Sequence, residues 1–203
     1  MTDEYYTISK NSTFELKEKG SKFIALTYQI YNSKEAEEII QKNKKIFYDA
    51  THNCFAYRFG LDGNNFRFND DGEPSGSAGK PILNAIDQLN VTDVLVIVNR
   101  YFGGTKLGIP GLIRAYHDSA YEALKDSSII KKIITKEYLL TFDHNQINTL
   151  MHFCSKNKIQ IVEQNYNEKV DFKIAIRLSH AEKYTNEIFD LMNGKIEIKE
   201  VDS

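Results

Sequence analysis

Val94-Leu95-Val96-Ile97-Val98-Asn99-Arg100-Tyr101-Phe102-Gly103-Gly104-Thr105-Lys106-Leu107-Gly108-Ile109-Pro110-Gly111-Leu112-Ile113-Arg114-Ala115-Tyr116 opens on a β-branched apolar run and closes on a helical spacing. Val94 to Val98 is far shorter than the ~20 apolar residues that span a bilayer, and charge follows at once, so it reads as a buried strand. The chain then crosses a glycine-rich loop into a helix that starts near Pro110 and runs to Leu124. Proline is tolerated there because the first N–H groups of a helix have no partner within it. A second segment repeats this design: Asn69-Asp70-Asp71-Gly72-Glu73-Pro74-Ser75-Gly76-Ser77-Ala78-Gly79-Lys80-Pro81 leads into a helix through Ile82, Leu83, Ile86 and Leu89.

Outward from these segments, alternation and β-formers predict strands at 5–8, 12–16, 22–30, 53–59, 66–68 and 93–98. A further helix is expected from Ser33, taken as its cap, through Ile39, Ile40 and Ile46. Ten of the 11 glycines and all 3 prolines lie before residue 112, so pattern, not charge, sets a boundary after residue 135. Beyond it the elements are regular: a strand at 136–142, a helix at 145–157 and strands at 159–166 and 170–178. A helix then opens at Ser179 with Glu182 as a capping box, Gly194 stops it, and a strand follows at 195–201. The order βαββαβ is that of a ferredoxin-like sandwich. The expected fold class is α+β in two domains, 1–135 and 136–203.

The balance of 26 basic and 28 acidic residues gives a net charge of −2, which argues against a broad basic face and confines any nucleic-acid contact to a local patch. No DNA-binding or membrane role is expected. Two cysteines, Cys54 and Cys154, are too few for a disulfide framework and read as reduced thiols. The first residues have no basic region followed by an apolar stretch, so a cytoplasmic location is expected.

The two glycine-rich segments each carry exposed backbone N–H groups to a helix N-terminus, an arrangement that favours anions. Lys80, Arg100, Lys106 and Arg114 could add charge to such a site. Neither segment is a phosphate-binding P-loop, since proline stands at Pro74 and Pro81 where that motif needs glycine and a hydroxyl. Asp70, Asp71 and Glu73 are candidates for acid–base or Mg²⁺ chemistry, although turn formation and capping explain them equally well. No metal site and no cofactor are assigned. His52 and Cys54 share one face of a strand, as a buried thiol and its neighbour or as a remote nucleophilic pair. Phe55, Tyr57 and Phe59 read as core rather than as a base-stacking platform.

Together these residues resemble a known family. His52-Asn53-Cys54-x-Ala56-Tyr57, the 69–81 segment, Arg100 to Gly108 and Gly111-Leu112-x-Arg114-Ala115-Tyr116 closely resemble the YigZ/IMPACT family, with Lys19-Gly20-Ser21-Lys22-Phe23 as its early strand signature. The resemblance implies a first domain similar to the second domain of a small-subunit ribosomal protein. It also implies a second domain similar to those at the end of elongation factor G. Eukaryotic relatives are translational regulators that dampen the amino-acid-starvation kinase by competing for its ribosome-associated activator. They carry a different additional domain, so that partner is not carried over. Where many relatives have glycine before Gly111, this chain has Pro110, which removes one N–H donor.

The leading expectation is a non-enzymatic regulator of translation and the stress response. It would bind a ribosome-associated protein or RNA through Asp70, Asp71, Glu73, Ser75, Ser77, Lys80, Arg100, Tyr101, Gly103, Gly104, Lys106, Arg114 and Tyr116. The alternatives are a metal-dependent hydrolase or phosphoryl-handling enzyme using Asp70, Asp71 and Glu73, with His52 as a further catalytic candidate, and a small-anion or nucleotide sensor.

Overall fold

The computed structural model describes residues 3–201. The chain divides into two compact units, Tyr5–Lys132 and a second that runs from Ile133 and takes in Asp3 and Glu4. The fold class is α+β.

The first unit contains all but one end residue of β1 (Glu4–Ile8) and of β7 (Ile129–Ile133), and between them β2 (Ser12–Glu18), β3 (Ser21–Gln29), α1 (Ser33–Ile46), β4 (His52–Phe59), β5 (Asn65–Asn69), α2 (Gly79–Gln88), β6 (Val94–Tyr101) and α3 (Gly108–Asp126). Five strands form one antiparallel sheet in the order β2-β3-β6-β4-β5, and β1 pairs with β7. The run that reads as a buried strand is the central strand β6, and strand alternation splits its side chains between two cores. Val94, Val96 and Val98 join Cys54 and Ala56 of β4 beneath α2 and α3. Leu95 and Ile97 join Phe55 and Tyr57 beneath Ala36 and Ile40 of α1. The aromatic series on β4 is therefore core packing. Fully burying each such aliphatic side chain is worth ~1.5–3 kcal/mol, which holds the sheet between its helices.

Helix α3 buries Leu112, Ala115, Tyr116, Ser119, Ala120, Ala123 and Leu124, a stripe in which small residues predominate and let the helix lie close. Beyond Ile97, the buried Asn99 amide oxygen accepts from Asn43 of α1 at 2.7 Å, so that face of the sheet ends in a satisfied polar pair.

The second unit contains β8 (Thr135–Phe142), α4 (Ile147–Lys156), β9 (Gln160–Tyr166), β10 (Val170–Arg177), α5 (Ala181–Leu191) and β11 (Ile196–Val201). Its sheet order, β11-β8-β10-β9, is the ferredoxin-like arrangement expected from βαββαβ. Leu140, Phe142, Phe172, Ile174, Leu150 and Ile188 meet in its core. Cys154 lies in the same core, where burial pushes its thiol up to about 11, so it stays protonated. Asp3 belongs here. Arg177 donates to its two carboxylate oxygens at 2.6 and 2.8 Å, and the Ser179 N–H adds a third bond at 3.2 Å.

Local expectations needed correction at the helix starts. The cap of α1 is Asn32, not Ser33: its backbone is extended (φ −157°), and its side chain accepts from the Glu35 N–H at 2.9 Å. The Glu35 carboxylate returns to the Tyr31 N–H at 2.8 Å. Ser179 forms no capping box, because a 3₁₀ turn at 178–180 precedes α5 and the Ser179 N–H is engaged by Asp3. The sequence reading assigned no strand at β7. Among the described residues, no helix is long and apolar enough to cross a membrane.

Candidate functional site

Both glycine-rich segments, and a third stretch, meet at one end of the first unit. The third is the two-residue turn between β2 and β3, where Lys19 and Gly20 adopt positive φ (47° and 82°). Gly103 rests directly on this turn. A Cβ at Gly103 would fall 1.8 Å from the Gly20 carbonyl carbon, a distance no side chain survives. Ser21, fully buried, binds the loop from below: its hydroxyl accepts from the Gly103 N–H at 3.3 Å and from Arg100 at 3.4 Å.

Arg100 is the hub. As the fourth alternate residue from Val94 it faces α2 and α3, and only 5% of it is exposed. Its guanidinium donates to Glu73 at 2.6 Å and lies 5.4 and 5.6 Å from the ring centroids of Phe23 and Phe102. Tyr116 of α3, also buried, donates to the same Glu73 oxygen at 2.8 Å, and burial pushes its phenol far up. One carboxylate of the acidic loop is thus tied to the end of β6 and to α3. A hydrogen-bonded buried pair of this kind costs ~3–5 kcal/mol to break from one side.

The other acids are engaged as firmly. Asp70 accepts from the N–H groups of Gly76, Ala78 and Gly79 at 2.9, 3.0 and 2.8 Å. It fills the start of α2, so the expected anion site at that helix is occupied by the chain itself. Asp71 accepts from the Asn53 N–H at 2.7 Å and pairs with Lys44 at 3.0 Å. The His52 Nδ1–H donates to the Asp71 carbonyl at 2.8 Å, and its Nε2 stands 3.9 Å from Glu73. Cys54 is buried, with its thiol 3.0 Å from the Asp70 carbonyl and 3.4 Å from Tyr116 Oη; desolvation raises it well beyond the usual thiol range. Among the described residues, no group of three His, Cys, Asp or Glu stands where it could hold a metal ion.

The remaining predicted residues divide. Ser75 is exposed and Ser77 fully buried, its hydroxyl without a partner. Tyr101 follows Arg100 on the strand and so points to the α1 face, where its hydroxyl donates to Asp49 at 2.9 Å; it is not at the site. Gly104 is exposed, with positive φ (86°). Lys80, Lys106 and Arg114 are exposed and, with Lys19, make no ion pair among the described residues.

A cleft of about 350 Å³ opens between the segments, lined by Glu73, Pro74, Arg100, Phe102, Lys106 and the start of α3 through Leu112. A second, of about 280 Å³, lies across Leu107 and carries Lys19 and Arg114 with Glu18 and Asp118. Glu73 and Arg114 therefore stand on neighbouring clefts that share Leu107 as a wall. The start of α3 has no side-chain cap and no acid in its first turn, which leaves N–H donors and the positive end of the dipole facing the cleft. Phe102 and Ile109 are 48% and 55% exposed, so its mouth is apolar as well as basic. Sequence reasoning missed Ser21, Phe23 and Phe102, although the first two lie within Lys19–Phe23.

The fold and this site define a two-domain α+β protein whose first unit gathers glycine-bearing turns around a buried Glu–Arg pair. The family model of the Impact N-terminal domain matches residues 19–124, and that of a domain of unknown function (DUF1949) matches residues 140–195. The chain belongs to the IMPACT family. It is 34% identical over 200 residues to IMPACT family member YvyE of Bacillus subtilis (strain 168), covering 98% of this chain and 92% of that one. It is 27% identical over 182 residues to IMPACT family member YigZ of Escherichia coli (strain K12), covering 89% of each. Eukaryotic proteins named Protein IMPACT match part of the chain. A solved structure titled "Crystal structure of an hypothetical protein" aligns over 100% of both chains at 24% identity with a TM-score of 0.69, a likeness of fold.

Proposed function

We propose that this protein is a cytoplasmic, non-enzymatic regulator of translation that binds a ribosome-associated component through the cleft surface of its first unit. One observation supports the reading most: turns from distant parts of the chain are locked together by hydrogen bonds, and the surface they present bears cations that make no ion pair among the described residues. Membership of a family whose eukaryotic members are named Protein IMPACT fits this role. The enzymatic alternative draws less support, because Asp70, Asp71 and Glu73 each spend their carboxylates on internal donors.

Sedimentation of cell extract through a density gradient tests the reading, with and without amino-acid starvation. The protein should travel with ribosomal fractions in at least one condition, and a Lys106→Glu, Arg114→Glu double variant should stay at the top. Absence of the native protein from ribosomal fractions in both conditions would overturn it.

A further inference from the structure

We infer that the ligand of the 350 Å³ cleft is an acidic peptide segment with an apolar anchor, presented by a protein partner. The inference rests on the proposed binding role and specifies its chemistry. The cleft walls are largely carbon: Pro74, Phe102, Leu107, Ile109 and Leu112. An apolar concavity of this size takes one or two side chains, the usual arrangement for an anchor residue. Around it stand Lys106, the uncapped start of α3 and, across Leu107, Lys19 and Arg114. These groups suit carboxylates flanking the anchor: helix N–H donors bind an anionic oxygen directly, and rim lysines steer the approach.

A nucleic acid fits less well. A run of phosphates needs a continuous row of cations, whereas the clefts offer Lys106 at one and Lys19 and Arg114, interleaved with Glu18 and Asp118, at the other, enough for one or two carboxylates beside an anchor. Arg100 is unavailable to a phosphate, since it is buried and bonded to Glu73 and Ser21. Pro110 removes a donor from the first helical turn, which matters less for a single carboxylate than for a phosphate ringed by N–H groups.

The test is fluorescence anisotropy with the intact protein and a short fluorescein-labelled peptide of Asp and Glu around one Leu-Phe pair. A peptide with Ser-Ser in place of Leu-Phe and a labelled oligouridine serve as comparisons. Saturable binding of the first peptide is expected, with at least about tenfold loss for the Ser-Ser peptide and weakening at high salt. Lys106→Glu and Ile109→Ser should each weaken it about tenfold. Both side chains are exposed, so an unchanged melting temperature will show that the variants fold. Lys156→Glu, in the second unit, should bind as the native chain does. No saturable peptide binding, or equal binding by Lys106→Glu, overturns the inference. Oligouridine binding sensitive to Lys106→Glu, with the peptide silent, overturns it in favour of nucleic acid. If the peptide fails while ribosomal co-sedimentation persists, only this inference falls; if both fail, the role beneath it falls too.

Discussion

Asp70 shows how much a single residue can hide in a sequence. Asp70, Asp71 and Gly72 read naturally as a turn followed by helix-start residues, and Asp71 does adopt positive φ (44°). What the letters do not reveal is that Asp70 reaches forward to three N–H groups, at Gly76, Ala78 and Gly79. A capping interaction normally spans two or three positions, so a carboxylate acting across the whole loop leaves no local signature. Arg100 and Tyr101 make the opposite case: strand period alone separates them, yet both sit in the same recognisable motif, and the motif outweighed the period. Replacing Asp70 with Ala should cost ~2 kcal/mol, since it removes a charged cap from several donors at once. Asp70→Asn should lose less, because an amide oxygen still accepts. Urea denaturation of the two variants beside the native chain reads the difference, and equal stability of all three would mean that water replaces the carboxylate at no cost.

At the scale of elements, the periodic segments were legible and their ends were not. Helix α3 and the strands of the second unit announce themselves by spacing, because burial of one face imposes it. Strand β7 carries no such signal. Ile129-Ile130-Lys131-Lys132-Ile133 has neither clean alternation nor a turn signal, and it becomes a strand by pairing with β1. The contact between the β2–β3 turn and the Gly103 loop was equally invisible, since glycine next to glycine signals only a flexible loop. Two substitutions separate packing from backbone freedom here. Gly103→Ala drives a methyl into the Gly20 backbone and should destabilise by ~1–3 kcal/mol as the turn moves away. Gly104→Ala meets no atom within 4 Å and should cost only the ~1 kcal/mol of a positive-φ alanine. Thermal melts should rank the two in that order, and the reverse order would show that the close approach relaxes freely.

For the whole molecule, the family and the two-unit plan were readable because the motifs are long and composite, whereas the role of the first residues was not. Asp3 lies ahead of the first expected strand and inside the expected first domain, yet it belongs to the second unit through Arg177 and Ser179. The Arg177 guanidinium holds the Asp3 carboxyl well below the ordinary carboxylate range. A depressed carboxylate contributes stability that is complete above its unfolded pKa of ~3.9 and is lost as pH falls toward the folded value. Asp3→Asn should therefore melt lower than the native chain by a constant margin from pH 7 to about 5, and the margin should shrink below about pH 4. A margin that stays constant into strong acid would show that the carboxyl titrates normally.

The bond between Ser21 and Gly103 joins residues 82 positions apart. The two meet only because β3 pairs with β6 across the same span, a non-local contact on which this surface depends. A copy still being synthesised, or one unravelled at β3, has every letter of the motifs up to that point and none of the surface. Whatever docks there meets only finished molecules, and by docking it favours their remaining so.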